Sequence, residues 1–483
     1  QGVKKGTAYM NVWMYVIHEM EDAINDCQSS CTNPGTQDCN ADPVHAIDEA
    51  AAFYAGSLEG TSATGIANNG KLVFRLAEKR CANFGTCTGC EGQAKANSEI
   101  IQKLQEAQTK LQQAQCVDVV PLKNRIVELM SIPLIQGSIR YAYKVAEESG
   151  GLKEKAEGAV FSAAILPRIA ACDTTKAKII SDNMKIDATN HMSSGFTAVK
   201  EAFEATYTCL GVTCGDIGGI LKSEGVPGDY KDKADPCGPH VPPVCTASPS
   251  TASNPQIVQY DSGSDVRQHS YIDIDQRDME KYLSGTPDYW KAKNIYTSGG
   301  NSGGYAEIQV PALAAAHAKG VAVSQGTKTG TLKYAASAGA TMIKVSYTST
   351  CKDGGYTANA DTANTDTTLH ADTSGCFTVA GGAINLDGTS MTPTGVVNKY
   401  RTLQGFSTQA QAKMSNWGTY QVYQGYYGEY DYANQYVLDA LGYSGSGTGA
   451  AATGVFAGLG DAARIQGVKK GTAYMNVWMY VIH

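Results

Sequence analysis

The sequence predicts a mainly α-helical fold: a disulfide-stapled helical bundle and a second helical segment that a small β domain interrupts. Three observations support this prediction. Apolar residues recur at helical spacing through much of 1–225, where Ile101, Leu104 and Leu111, for example, share one helix face. Cysteines cluster in short polar loops, as they do in disulfide-rich proteins. Residues 305–399 are rich in Gly, Thr and Ser with alternating apolar positions, which is typical of short strands.

The domain boundaries are placed where the composition changes. We assign 1–225 to the helical bundle, 226–258 to a proline-rich linker, 259–304 and 400–443 to a second helical domain, 305–399 to the inserted β domain, 444–454 to a glycine-rich joint and 455–483 to the start of a further unit. Short loops between the helices of the first domain favour a bundle.

The two ends of the chain are identical. The first eighteen residues, QGVKKGTAYMNVWMYVIH, return unchanged as residues 466–483, an offset of 466 − 1 = 465 positions. The stretch is apolar on nearly all sides of a helix, so it is expected to be a buried helix and not a natural terminus. We therefore predict an extracellular filament of tandem copies, in which residues 466–483 project away from the bundle toward the next copy. Identical repeats, joined covalently and laterally, would be the partners; an artificial duplication of the ends is the alternative.

The cysteines indicate an oxidising compartment. The chain has 14 cysteines, an even number, which favours disulfides and a secreted protein in the extracellular space or periplasm. The disulfide candidates are Cys27, Cys31, Cys39, Cys81, Cys87, Cys90, Cys116, Cys172, Cys209, Cys214, Cys237, Cys245, Cys351 and Cys376. A zinc site at Cys81, Cys87 and Cys90 is the alternative for one cluster, although no second pair with ligand spacing accompanies it.

Charge and motifs argue against several classes of function. A formal net charge of −7 does not suit a nucleic-acid-binding protein, which needs a basic patch. No run of 18 apolar residues predicts a membrane span. A Walker loop, a GxGxxG motif and an HExxH motif are all absent, so we expect no enzymatic activity.

The best candidate for metal binding is the set His45, Asp48 and Glu49. Positions i, i+3 and i+4 project from neighbouring parts of one helix face, and carboxylates with an imidazole suit iron. Glu154 and Glu157 form a second candidate pair at helical spacing. The alternative is structural, because acidic pairs on helices usually face solvent. Iron is therefore the one cofactor that the sequence suggests.

A tyrosine-rich segment is the best candidate for contacts between units. Residues 417–444 contain eight of the 27 tyrosines, and tyrosine combines a large apolar surface with a polar tip, which suits interfaces. We assign this role to Tyr420, Tyr423, Tyr426, Tyr427 and Tyr430. The alternative is a tyrosine-rich helix packed inside its own domain.

Several segments of the bundle resemble one protein family. They are DEAAAFYAGSLEG (48–60), GKLVFRLAEKRCANFGTC (70–87), IPLIQGSIRYAYK (132–144), KEKAEGAVFSAAILPRI (153–169) and LGVTCGDIGG (210–219). Together they resemble the algal iron-assimilation (FEA-type) and high-CO2- or low-iron-inducible periplasmic proteins. The resemblance implies a secreted, helix-rich, cysteine-containing protein linked to iron nutrition. A secreted iron-binding or iron-assimilation protein is thus the alternative to the filament.

Overall fold

A computed structural model describes most of the chain. The described residues are 11–35, 37–62, 65–68, 70–88, 94–224, 226, 228–238, 257–258, 260–264, 266–298, 305–347, 376–399, 402–404, 432–442 and 451–474. Tyr420, Tyr423, Tyr426, Tyr427 and Tyr430, which we predicted to be contacts between units, lie outside these ranges.

The first part of the chain folds into helices with one small hairpin. In chain order these are α1 (Asn11–Ser30), α2 (Gln37–Asn40), α3 (Asp42–Ala55), β1 (Glu59–Ser62), β2 (Gly65–Asn68), α4 (Val73–Phe84), α5 (Lys95–Gln112), α6 (Cys116–Ala146), α7 (Leu152–Cys172), α8 (Thr174–Met184), α9 (Gly195–Glu204) and α10 (Cys214–Ile217). Helix α3 carries all three members of the predicted set His45, Asp48 and Glu49. Pro43 lies in its first turn, where the missing N–H costs nothing. Gly56 ends the helix with a φ of 77°, a backbone conformation that favours glycine.

Further helices lie beyond the proline-rich segment. They are α11 (Arg267–Ser270), α12 (Ile272–Tyr282), α13 (Tyr289–Ser298), α14 (Tyr432–Leu441) and α15 (Asp461–Tyr474). Their buried residues, among them Ile272, Tyr296, Val437 and Val468, belong to the same hydrophobic core as Val16 of α1. The described helices of the segments predicted as a second helical domain share this core.

The β domain is an antiparallel sheet of seven strands. They are β3 (Tyr305–Gln309), β4 (Ala322–Gln325), β5 (Lys328–Leu332), β6 (Met342–Tyr347), β7 (Ile384–Leu386), β8 (Thr389–Met391) and β9 (Gly395–Lys399). Their order across the sheet is β8-β7-β4-β5-β6-β3-β9. Ile308, Val345, Phe377 and Leu386 form its separate apolar core. The sheet is larger than a minor insertion, so the description as mainly α holds only loosely.

Alternation along the central strands gives the sheet two different faces. In β6, Ile343, Val345 and Tyr347 are buried, whereas Lys344 and Ser346 are partly exposed on the other face. This division follows from the period of two along a strand. The second face is polar, and part of it faces the helices.

The prediction that residues 466–483 project away from the bundle is wrong for their described part. Helix α15 packs against α7 and α14, and Gln466 and Val468 are buried there. Arg464 holds the helix in place, with its guanidinium carbon 3.7 Å from the ring centroid of Tyr289. The same guanidinium donates hydrogen bonds to the carbonyl groups of Ala440 and Leu441 at the end of α14. An apolar helix side with a neighbour available is buried and does not project into water.

The expectation of a disulfide-rich protein is confirmed. The pairs are Cys27–Cys116, Cys31–Cys39, Cys81–Cys87, Cys172–Cys209 and Cys214–Cys237. Cys376 is also disulfide-bonded, and Cys90, Cys245 and Cys351 lie outside the described residues. Since Cys81 pairs with Cys87, the alternative of a zinc site at these cysteines is wrong. In the described part of the chain, no helix has the length and apolar character needed to cross a bilayer.

Candidate metal centre

One stripe of helix α3 carries the candidate centre. His45, Glu49 and Phe53 follow each other at intervals of four, so they lie on one side of the helix. This side faces His269 of the short helix α11. The His269 ring contacts Phe53 edge to face, with centroids 5.9 Å apart, and the His45 ring in the same manner at 5.5 Å.

The three polar groups converge on one carboxylate oxygen. Glu49 Oε1 lies 2.9 Å from His45 Nε2 and 2.9 Å from His269 Nε2. All three candidate ligand atoms lie within 4.8 Å of one another. Metal–nitrogen bonds of about 2.1 Å place neighbouring ligand atoms of an octahedral ion roughly 3 Å apart. The two separations from Glu49 Oε1 are therefore close to those between neighbouring ligand atoms of a loaded site.

The charge of Glu49 makes this arrangement favourable for a cation. Its side chain is only 4% exposed, and a buried carboxylate needs a compensating charge or strong hydrogen bonds. Two imidazoles and one carboxylate form the donor set that holds non-haem Fe(II) in known proteins. Iron therefore fits the residues present.

A second set of groups fixes the orientation of the His45 ring. His45 Nδ1 lies 2.9 Å from Ser264 Oγ, and this hydroxyl donates to Asp48 Oδ2 at 2.8 Å. Because its proton goes to Asp48, the hydroxyl can only accept a hydrogen bond from His45. Nδ1 must then carry a proton, which leaves Nε2 as the nitrogen for a cation. Such outer contacts are usual for histidine ligands.

Asp48, the third residue of the predicted set, lies outside the group formed by His45, Glu49 and His269. Asp48 is fully buried, and its oxygens accept hydrogen bonds from Gln108, Tyr260 and Ser264. Burial raises the pKa of Asp48, and these hydrogen bonds lower it. The physical reason is angular: residues are about 100° apart around a helix, so Asp48 and Glu49 point in different directions. Asp48 contacts His45 through the Ser264 hydroxyl, and its own oxygens are occupied by hydrogen bonds.

The centre opens into a cleft of about 500 Å³ between the bundle and the sheet. The helical side carries acidic groups and the sheet side carries basic and phenolic ones. Its lining includes Glu19, Asp22, Asp26, Asp42, His45 and Glu49 from the helices, and Lys319, Lys333 and Tyr334 from the β domain. An ion pair between Lys319 and Asp42 joins the two sides.

The acidic side of the cleft has a negative field. The pKa of Asp26 is raised by burial and then by the neighbouring carboxylates of Asp22 and Asp42, while Lys319 lowers it. Carboxylates that raise the pKa of one another in this way also attract cations from solution. The cleft is therefore a path along which a cation would approach Glu49.

The second predicted pair, Glu154 and Glu157, is placed differently. Glu154 accepts a hydrogen bond from the Gly151 backbone N–H at 3.1 Å and pairs with Lys153, as a helix-capping residue does. Glu157 is buried on the inner side of α7. Among the described residues, neither belongs to a group of three side chains with metal-binding geometry.

Sequence reasoning missed His269 and Ser264. Both lie more than 200 residues from α3, and no local spacing connects them to His45. Only the packing of α11 against α3 brings His269 to the centre. His269 belongs to no sequence motif that would have indicated a role in metal binding.

Fold and site define a helix-rich, disulfide-containing protein with a two-histidine, one-carboxylate centre at the wall of an acidic cleft. Residues 4–234 match the Fea1 family model, described as low iron-inducible periplasmic protein. The resemblance of the helical bundle is thus confirmed, as is the extracellular or periplasmic location. The matched part contains His45 and Glu49, whereas His269 lies beyond it. No curated protein and no solved structure matches the chain.

Proposed function

We propose that this chain is a secreted iron-binding protein in which His45, Glu49 and His269 hold the ion. The observation that carries the proposal is the convergence of two imidazole nitrogens on one buried carboxylate oxygen, at 2.9 Å each. The family description supports iron because it connects related proteins with low-iron conditions.

Each residue has a separate role in this proposal. Glu49 supplies a buried negative charge that attracts a cation. The two histidines supply neutral nitrogen donors, and Ser264 together with Asp48 keeps the His45 ring turned toward Glu49. The bound ion would supply a positive charge that offsets the Glu49 carboxylate. In this proposal the protein binds iron and does not use it to catalyse a reaction.

The test is the metal content of the purified protein after it has been loaded with iron and passed through a desalting column. We expect about one tightly held iron per chain in the wild type. His269→Ala and Glu49→Gln should each lose most of it, because removing one of three ligands leaves too few donors. Elemental analysis gives the stoichiometry, and circular dichroism verifies the fold.

His191→Gln is the matched control. This histidine is partly buried, and its Nδ1 lies 3.1 Å from the Ala188 carbonyl oxygen, far along the chain from the cleft-forming helices. It should retain full iron content. Iron that stays bound in Glu49→Gln and His269→Ala would refute the assignment, and so would a wild type that retains zinc or manganese but no iron.

The filament interpretation now depends on the identical ends and on the tyrosine-rich segment, which lies outside the described residues. Residues 466–474, the described part of the segment expected to project, instead lie in α15, which packs against α7 and α14. Tandem copies as partners stay a prediction from the repeat. The intact mass of the natural protein, compared with 51.0 kDa for this chain, would count the copies directly.

A further inference from the structure

We propose that Tyr334 supplies a phenolate ligand to a ferric ion held by His45, Glu49 and His269, so that the sheet completes a site built by the helices. Tyr334 would be the fourth ligand, and its role rests on the proposed iron binding. The β domain would thereby contribute one ligand to the iron site.

Tyr334 stands at the right place in the fold. It follows strand β5 and lines the same cleft as His45 and Glu49. The Lys333 N–H donates to the Lys344 carbonyl oxygen at 2.7 Å, which extends the pairing of β5 with β6 up to the residue before Tyr334. Tyr334 therefore directly follows a paired segment of the sheet, and it lines the cleft between the sheet and the helices.

The Tyr334 side chain is accessible from the cleft. It is 47% exposed, unusual for a large aromatic residue beside a packed sheet. Its ring lies near two ammonium groups, with Lys333 Nζ at 5.6 Å and Lys344 Nζ at 5.9 Å from the centroid. No hydrogen bond joins its hydroxyl to another residue in the described part of the chain. The phenol oxygen is thus open to the cleft.

The electrostatic surroundings of Tyr334 connect it to the centre. Burial raises the pKa of Tyr334 to about 12, with further contributions from the carboxylates of Asp42 and Glu49. The hydroxyl therefore lies in the field of Glu49, the residue at the centre of the iron site. A ferric ion would reverse the sign of this field and favour the phenolate. Coordination forms one Fe–O bond and releases the phenol proton to water.

The ion pair between Lys319 and Asp42 joins the two sides of the cleft. Asp42 is the first residue of α3, the helix that carries His45 and Glu49, and Lys319 precedes strand β4. The sheet is thereby held to the helix that carries the site.

The experiment uses the full chain loaded with ferric nitrilotriacetate and records the visible absorption spectrum together with the iron content. A phenolate bound to ferric iron gives a charge-transfer band in the visible region, which imidazole and carboxylate ligands do not produce. We expect this band in the wild type and its loss in Tyr334→Phe. Tyr334→Phe should still hold iron through the other three ligands, although less tightly. Resonance Raman excitation in the band should show phenolate ring vibrations.

Tyr305→Phe is the matched control. Its ring contacts the same lysine, with Lys333 Nζ 4.9 Å from the centroid, but it does not line the cleft. The band should survive this change. Bound iron with no band in the wild type, or a band that persists in Tyr334→Phe, would overturn the inference while leaving the iron site intact. A wild type without bound iron would instead refute the proposed function.

Discussion

Replacing Ser264 by alanine is the sharpest test of how the centre is organised. The Ser264 hydroxyl contacts His45 Nδ1 at 2.9 Å and donates to Asp48 Oδ2 at 2.8 Å. Alanine removes both contacts. The Ser264 backbone N–H still donates to Asp48 Oδ2 at 2.7 Å, and Tyr260 and Gln108 still donate to Asp48 Oδ1. The buried carboxylate therefore stays satisfied and the fold should persist.

The expected loss is in metal affinity. Removing an outer contact of a histidine ligand typically weakens metal binding by about 10- to 100-fold, which corresponds to roughly 1.4 to 2.8 kcal/mol. Competition with a chromophoric chelator measures the dissociation constant of the Ser264→Ala protein against that of the wild type. The change in urea midpoint should be small, because a single neutral hydrogen bond contributes about 1 kcal/mol to the free energy of unfolding.

Ser57→Ala is the control for this variant. The Ser57 hydroxyl donates to Asp273 Oδ1 at 2.7 Å, a bond of the same kind outside the cleft. Its loss should leave the metal affinity unchanged. An unaltered dissociation constant in Ser264→Ala, or an equal loss in both variants, would show that the His45 ring is not oriented through this hydroxyl.

Two further expected outcomes concern stability. Burial raises the pKa of the Asp273 carboxyl group to about 7, above the value of about 3.9 in the unfolded chain. The protonated carboxyl group therefore stabilises the folded state fully below about pH 4. This stabilisation is lost as the pH rises to about 7. Urea midpoints from about pH 4 to 8 should therefore fall more steeply in the wild type than in Asp273→Asn; parallel profiles would contradict this. Cys27 and Cys116 are 89 residues apart, and replacing both by serine should lower the free energy of unfolding by about 4 to 5 kcal/mol. Cys31 and Cys39 are 8 residues apart, and replacing both by serine should lower it by only about 2.5 kcal/mol. Equal losses in calorimetry would refute the dependence on loop length.

The sequence by itself determined what depends on local pattern. Apolar spacing placed most helices of the bundle, and the cysteine clusters indicated disulfides and a compartment outside the cytosol. The interval of four between His45 and Glu49 placed both on one side of a helix, because that interval is close to one helical turn. None of these features needs information from a distant part of the chain.

The tertiary structure decided which partners those residues meet. His269 reaches Glu49 only because α11 packs on α3, and Asp48 is turned to Tyr260 and Gln108 because one residue along a helix is a rotation of about 100°. The cleft exists because the polar face of the sheet lies opposite α1 and α3. A sequence pattern gives the direction of a side chain relative to its own helix, but what lies in that direction is set by contacts between segments hundreds of residues apart.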